Sequence, residues 1–202
     1  AVSPMHFDQA IAFLVFALVA AITPGPSNTM ITATGSAVGV WRGLPCALGA
    51  AVGMASLLFC SALGLGQLVI SQPTLLKALN ICGAAFLLWL AWKIATSEAS
   101  SAKSAAKPVG FLGAAAFQWV NPKGWLVAVS AAGTYLQATA GNALAQAVAF
   151  GGLFFVAALP AGLVWLVLGA VVQRFLRDER SARIFNVAMG AALAASVMAM
   201  FV

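Results

Sequence analysis

The chain has 202 residues, 63% of them apolar and 7% charged, with a net charge of +6 and a mean hydropathy of +1.02. A soluble domain is nearer 45–50% apolar and about 25% charged, so 10 Lys and Arg with 4 Asp and Glu cannot coat a soluble surface. At about 20 apolar residues per crossing, the composition amounts to roughly six membrane spans and excludes a soluble enzyme or binding module.

The first apolar run covers residues 7 to 38, too long for one uninterrupted span. Thr23-Pro24-Gly25-Pro26-Ser27-Asn28 interrupts it: two prolines remove two amide donors and clash with the preceding turn, and Gly25 between them is the most permissive residue. A helix break is predicted there. Asp8 replaces the Lys or Arg of a signal-peptide start and no small-residue cleavage site follows, so this run reads as a retained helix with His6 and Asp8 at its outer edge.

The second run, residues 44 to 70, carries no charge and places Gly49 and Gly53 at the spacing that lets helices approach closely. The third, residues 74 to 95, is bracketed by Lys77 and Lys93, whose stems can snorkel to the interfaces. Residues 96 to 110 are Ser, Ala and Lys with one Glu and one Pro, a composition that builds no core and reads as a linker. The fourth run, 111 to 136, is interrupted by Asn121-Pro122-Lys123; a fifth covers 143 to 172 and a sixth 184 to 202, with a basic loop at 173 to 183.

The fold class predicted is an all-α membrane protein, one transmembrane domain over residues 1–202. Three spans precede the linker and three follow it, so the second half enters the membrane from the opposite side: two inverted three-helix repeats, at 7–95 and 111–202, with the first and fourth helices broken at proline-containing turns. With the N-terminus outside, Arg42, Lys93, Lys103, Lys107, Arg174, Arg177, Arg180 and Arg183 fall inside and Lys77 alone outside, which predicts both termini periplasmic. The basic residues stand singly or at helix ends and form no aromatic-interleaved patch, so the expected partner is the lipid bilayer and not nucleic acid.

Paired broken helices at corresponding places in inverted halves point to a transporter's central binding site. A break inside hydrocarbon leaves backbone groups unpaired at several kcal/mol each, so it survives only where it faces protein, water or a polar solute. The candidate substrate-binding residues are therefore Thr23, Pro24, Gly25, Pro26, Ser27 and Asn28 with Asn121, Pro122 and Lys123. The half-helix starting at Pro26 can offer amides to a carboxylate, and carbonyls ending the preceding half-helix can accept from an ammonium group. Proline kinks without function stand as the plain alternative.

Lys123 is the one ionisable residue inside a long apolar run, at about 2.5–3.5 kcal/mol for a lysine at a helix centre. It can bind a substrate carboxylate, act as the coupling group by losing its proton, or snorkel to an interface. No Asp or Glu lies deep in any span, which disfavours a dibasic or divalent-metal cargo and favours a neutral amino acid. Cys46, Cys60 and Cys82 show no CxxC spacing, so neither a zinc site nor a disulfide framework is expected.

At Thr23 to Asn28, followed by Gly35, Gly39 and Arg42-Gly43, with Gly83-Ala84-Ala85-Phe86-Leu87-Leu88-Trp89-Leu90-Ala91-Trp92-Lys93 and Gln118-Trp119-Val120-Asn121-Pro122-Lys123, the chain resembles the LysE/RhtB family of amino-acid exporters over its whole length. Residues 89 to 97 resemble the cysteine and O-acetylserine exporting branch, which carries Asn where Ser27 stands here. The resemblance implies a six-span bacterial inner-membrane exporter driven by an ion gradient, with protons as the expected partner, and neither an enzyme nor a holder of cofactor or metal. Gly35, Gly39, Gly49 and Gly53 can serve internal packing or a homodimer face. Two other classes compete. A membrane thiol–disulfide electron carrier needs cysteines that can meet, and Cys46 and Cys60 lie about 21 Å apart along one helix; a purely structural subunit would tolerate substitution of both broken turns.

Overall fold

The computed structural model describes residues 7–96, 108–136, 142–175 and 179–198, and these form eight helices. They are α1 (Phe7–Ile22), α2 (Pro26–Ala62), α3 (Leu65–Ser71), α4 (Pro73–Ala95), α5 (Phe111–Val120), α6 (Pro122–Tyr135), α7 (Ala143–Phe175) and α8 (Glu179–Met198). Three of them, α2, α4 and α7, are long and apolar enough to cross a membrane, and α1 and α5 are shorter apolar helices. Lys103 and Lys107 of the linker lie outside the described residues, as do His6, Glu98, Arg177 and Asp178.

Both proline-containing interruptions fall where the sequence places them. The first separates α1 from α2 at residues 23–25, and Pro26 starts α2, where a missing amide costs nothing. The second separates α5 from α6 at Asn121, again with proline in the first helical position.

A third interruption lies inside α2. Gly39 has φ 77° and ψ 178°, a left-handed conformation that favours glycine, and the chain doubles back on that residue. Thr34 Oγ1 reaches Cys46 Sγ at 3.7 Å, whereas twelve residues of straight helix would separate them by about 18 Å. The hydropathy pattern predicts a gap between 38 and 44; the structure replaces it with a one-residue reversal joining arms 26–38 and 40–62.

Two element ends differ from the sequence reading. The second run does not continue to residue 70, because Gly64, at φ 105°, ends the long arm and a separate short helix follows. Helix α8 begins at Glu179 instead of 184, so Arg180 and Arg183 sit on its first turns and not in a loop. Hydropathy marks where a helix becomes greasy, whereas capping and charge allow it to start earlier.

Helix α2 packs against α7 with almost no side chain between them. A Cβ on Gly35 would strike the carbonyl of Leu166, and one on Gly169 the carbonyl of Thr32. Gly49 and Gly53 face the backbone of α5 at Phe111 and Ala115, and Gly190 of α8 lies against Ala91 and Ala95 of α4. The spaced glycines are thus used within the chain. Around these contacts the apolar residues form two clusters. One contains Met30, Ile31, Ala47, Leu87, Leu166 and Leu193; the other contains Phe13, Leu57, Trp125, Phe150 and Phe154.

Candidate functional site

A cavity lies at the seam between those clusters, midway along both long elements. Arm 40–62 contributes Ala47, Ala50, Ala51 and Met54, and α7 contributes Phe154, Ala158 and Gly162, on either side of its own midpoint. The cavity offers about 60 Å³ of open space, well above the roughly 10–15 Å³ needed to hold a single water. Alanine and glycine dominate these walls, and the small side chains are what leave the space.

The polar part of the lining comes from the two breaks. Of the nine candidate residues, Gly25, Ser27, Asn28, Asn121 and Lys123 line the cavity. Pro26 and Pro122 instead start their helices, and Thr23 and Pro24 are exposed and take part through their carbonyls. The Thr23 hydroxyl turns back on its own helix, donating to the Val19 carbonyl at 2.5 Å.

The carbonyls of Ala21, Ile22, Thr23 and Pro24 at the end of α1, expected to be open to a ligand, are occupied by side chains from beyond the break. Asn28 Nδ2 donates to Ala21 O at 2.9 Å and to Thr23 O at 2.8 Å, and Trp165 Nε1 donates to Ile22 O at 3.1 Å. Lys123 Nζ crosses from the second break and donates to Thr23 O at 2.7 Å and Pro24 O at 3.5 Å. Both partners are neutral carbonyls at the negative end of a half-helix, where a cation is favoured. The Lys123 ammonium turns toward the other break, onto carbonyls of the exposed residues Thr23 and Pro24.

A second network ties the breaks together from below. Ser27 Oγ donates to Gln118 Oε1 at 2.9 Å, and Asn121 Nδ2 donates to Ser27 Oγ at 3.0 Å and to Gln118 Oε1 at 3.4 Å. Asn121 Oδ1 accepts from the Lys123 amide at 3.1 Å, which caps α6 and fixes which end of the side chain faces Ser27. Gln118 Nε2 donates to Ala114 O at 3.1 Å, so its oxygen is the atom presented to the network. Asn121 is 2% exposed and Gln118 fully buried, which makes every unmet bond here expensive.

Gln118 and Trp165 were missed as site residues by sequence reasoning. Gln118 was readable: a glutamine three residues before Asn121 in an apolar run shares its face, by helical spacing. Trp165 was not, because only tertiary packing brings its indole to Ile22. Cys46, Cys60 and Cys82 are unpaired, and among the described residues no group of His, Cys, Asp and Glu could hold a metal ion.

Two broken helices, polar breaks turned inward on a mid-depth cavity and long apolar flanking helices make this a membrane protein built around an internal polar site. A profile of the LysE type translocator family matches residues 18–201. A cysteine/O-acetylserine efflux protein of Escherichia coli (strain K12) is 31% identical over 168 residues, covering 83% of this chain and 85% of that protein. A protein of the same name from Salmonella typhi is 36% identical over 126 residues, 62% of this chain, and the matched stretch spans 64% of that relative's length. No solved structure matches. The chain belongs to the LysE type translocator family.

Proposed function

We propose that this protein is a secondary active exporter of small neutral amino acids and their derivatives, of the cysteine/O-acetylserine or threonine/homoserine type, in a bacterial inner membrane. The observation that carries the proposal is the meeting of two proline-broken helices in one cavity whose polar lining comes from both breaks. The family and the names of the relatives agree with it. A space of about 60 Å³ suits a small amino acid better than a long one. Gly25, Ser27, Asn28, Asn121 and Lys123 contact the substrate in this reading, with Thr23, Pro24, Pro26 and Pro122 shaping the breaks. Lys123 is the one ionisable residue of the lining, which makes it the candidate for coupling export to protons.

Six crossings arranged as inverted halves supply the alternating access. Exchanging α1 with α5, arm 26–38 with α6, arm 40–62 with α7 and α4 with α8 relates several of the helix contacts to one another, which supports this reading. The α1–α7 contact, seen at Phe13 and Phe150, becomes the α5–α2 contact at Phe111 and Gly49, and Gly35 on Leu166 becomes Gly124 on Leu57. Repeat 1 then covers about 7–95 and repeat 2 about 111–202. Gly169 against Thr32 and Ser36 puts the C-terminal end of α7, with Arg174, beside the Gly39 reversal and Arg42, in keeping with a cytoplasmic face there and periplasmic termini. A homodimer has to use a face other than Gly35, Gly49 and Gly53, which are filled.

Counterflow into proteoliposomes tests the reading, with cysteine, O-acetylserine, threonine, homoserine and lysine compared. Uptake of the small neutral members and not of lysine is expected. Absence of counterflow for all five defeats it. Introduced cysteines at positions 42 and 77, in a cysteine-free background, should label from the inside and the outside respectively.

A further inference from the structure

We infer that Lys123 is a built-in substitute for the substrate's ammonium group, so that the site selects molecules carrying an ammonium and a carboxylate together. The inference rests on the exporter reading and names how that site would recognise its substrate class. The negative end of a broken helix is where a cationic group of a solute would be held. In this chain the cation already there is the protein's own: Nζ of Lys123 lies 2.7 Å from Thr23 O and 3.5 Å from Pro24 O. The position is kept clear for it, since a Cβ on Gly25 would fall 3.0 Å from its Cδ and 3.1 Å from its Nζ.

Charge balance turns that occupancy into a selection rule. The cavity lining holds no carboxylate, and Lys123 is its one cation. A simple amine that displaced the lysine from the carbonyls would leave two positive charges close together, with no carboxylate among the described lining residues to offset them. A simple carboxylate that drew the lysine away would leave the two carbonyls without their charge-assisted donor. A zwitterionic amino acid avoids both penalties. Its ammonium takes the carbonyls, its carboxylate receives the released lysine, and the charge of the site is unchanged. The four-carbon stem of lysine permits that short swing, which a fixed donor such as Asn28 could not make.

Calorimetric titration of the purified full chain in detergent tests the rule with three matched compounds. These are cysteine, cysteamine (amine without carboxylate) and 3-mercaptopropionate (carboxylate without amine). The parent should bind cysteine and reject the other two. In Lys123→Met the carbonyls lose their cationic donor, Thr23 O keeping only Asn28 Nδ2 and one free lone pair, so cysteamine should bind about tenfold to a hundredfold more tightly than to the parent, the span of one charge-assisted hydrogen bond, while cysteine weakens. Lys123→Arg keeps a cation at the carbonyls and should go on excluding cysteamine. Lys123→Leu, apolar and without a donor, repeats the methionine test from a second, independently folded variant. No gain in cysteamine binding in either neutral variant overturns the inference, as does a parent that binds cysteamine as tightly as cysteine. A parent that binds no amino acid and shows no counterflow defeats the exporter reading instead, and the cysteamine comparison between parent and variants still decides the role of Lys123.

Discussion

The two broken helices solve one physical problem in opposite ways. At the second break a single residue leaves the helix, and the repair is local: the Asn121 side chain caps the Lys123 amide, the Asn121 amide reaches Gln118 O at 3.3 Å, and Trp125 Nε1 donates to Trp119 O at 2.7 Å. At the first break three residues leave the helix, two of them exposed, and much of the repair comes from far along the chain, by Lys123 and Trp165. A break closed by its neighbours stays as it is when the rest of the molecule moves. A break closed by distant side chains is remade whenever those side chains go elsewhere. In the exporter reading proposed above, the second would serve as a fixed bracket and the first as the adjustable half of the site.

If the first break is the adjustable half, removing it should be the most damaging change. Pro24→Ala with Pro26→Ala restores two amide donors and favours a continuous helix. Counterflow should fall at least about tenfold, one lost charge-assisted contact, while the protein still reaches the membrane fraction; parental counterflow would mean that the turn is only a kink. The glycines of the two breaks sharpen the contrast. Gly25 is extended, at φ −179°, so alanine suits its backbone and its Cβ meets only the movable end of Lys123. Gly25→Ala should lower transport several-fold with an unchanged Tm. At Gly124 a Cβ would lie 3.0 Å from the Gln118 carbonyl and 3.2 Å from Leu57 and Met54 side chains, so Gly124→Ala should cost about 1–3 kcal/mol of stability and lower Tm measurably.

Asn121→Ala removes a helix cap, at about 1 kcal/mol, together with the donor to Ser27. Its effect should be visible in Tm and in counterflow alike, whereas loss of the cap alone would move only Tm. The smallest change is expected from Trp165→Phe, which deletes one donor to a carbonyl on an exposed residue and should cost less than about 1 kcal/mol. A larger loss of transport than of stability there would show that the first break also depends on α7.

How much of this could be read from the residues follows from the kind of signal each feature leaves. Pro24, Pro26 and Pro122 change the covalent chain itself, so both breaks were legible to the residue. The meeting of the breaks was legible only as an argument from paired halves. Which carbonyl takes which donor was not, because Asn28, Lys123 and Trp165 act across 5, 100 and 143 positions of sequence. The reversal at Gly39 was hidden for another reason: glycine is frequent in these helices, and only its positive φ, invisible in a hydropathy profile, separates a hinge from a packing contact. Gly64 ended the long arm in the same silent way.

The cavity's position between two separately packed apolar clusters has a mechanical consequence. One undivided core would have to be broken as a whole before solute could pass, at a cost on the scale of the entire fold's stability. Here Phe13, Phe150 and Phe154 belong to one cluster and Met30, Leu166 and Leu193 to the other, with the cavity at the seam between them. In the exporter proposed above, one side would open at a partial expense while the other stays shut, and two separate cores would keep the membrane tight between turnovers.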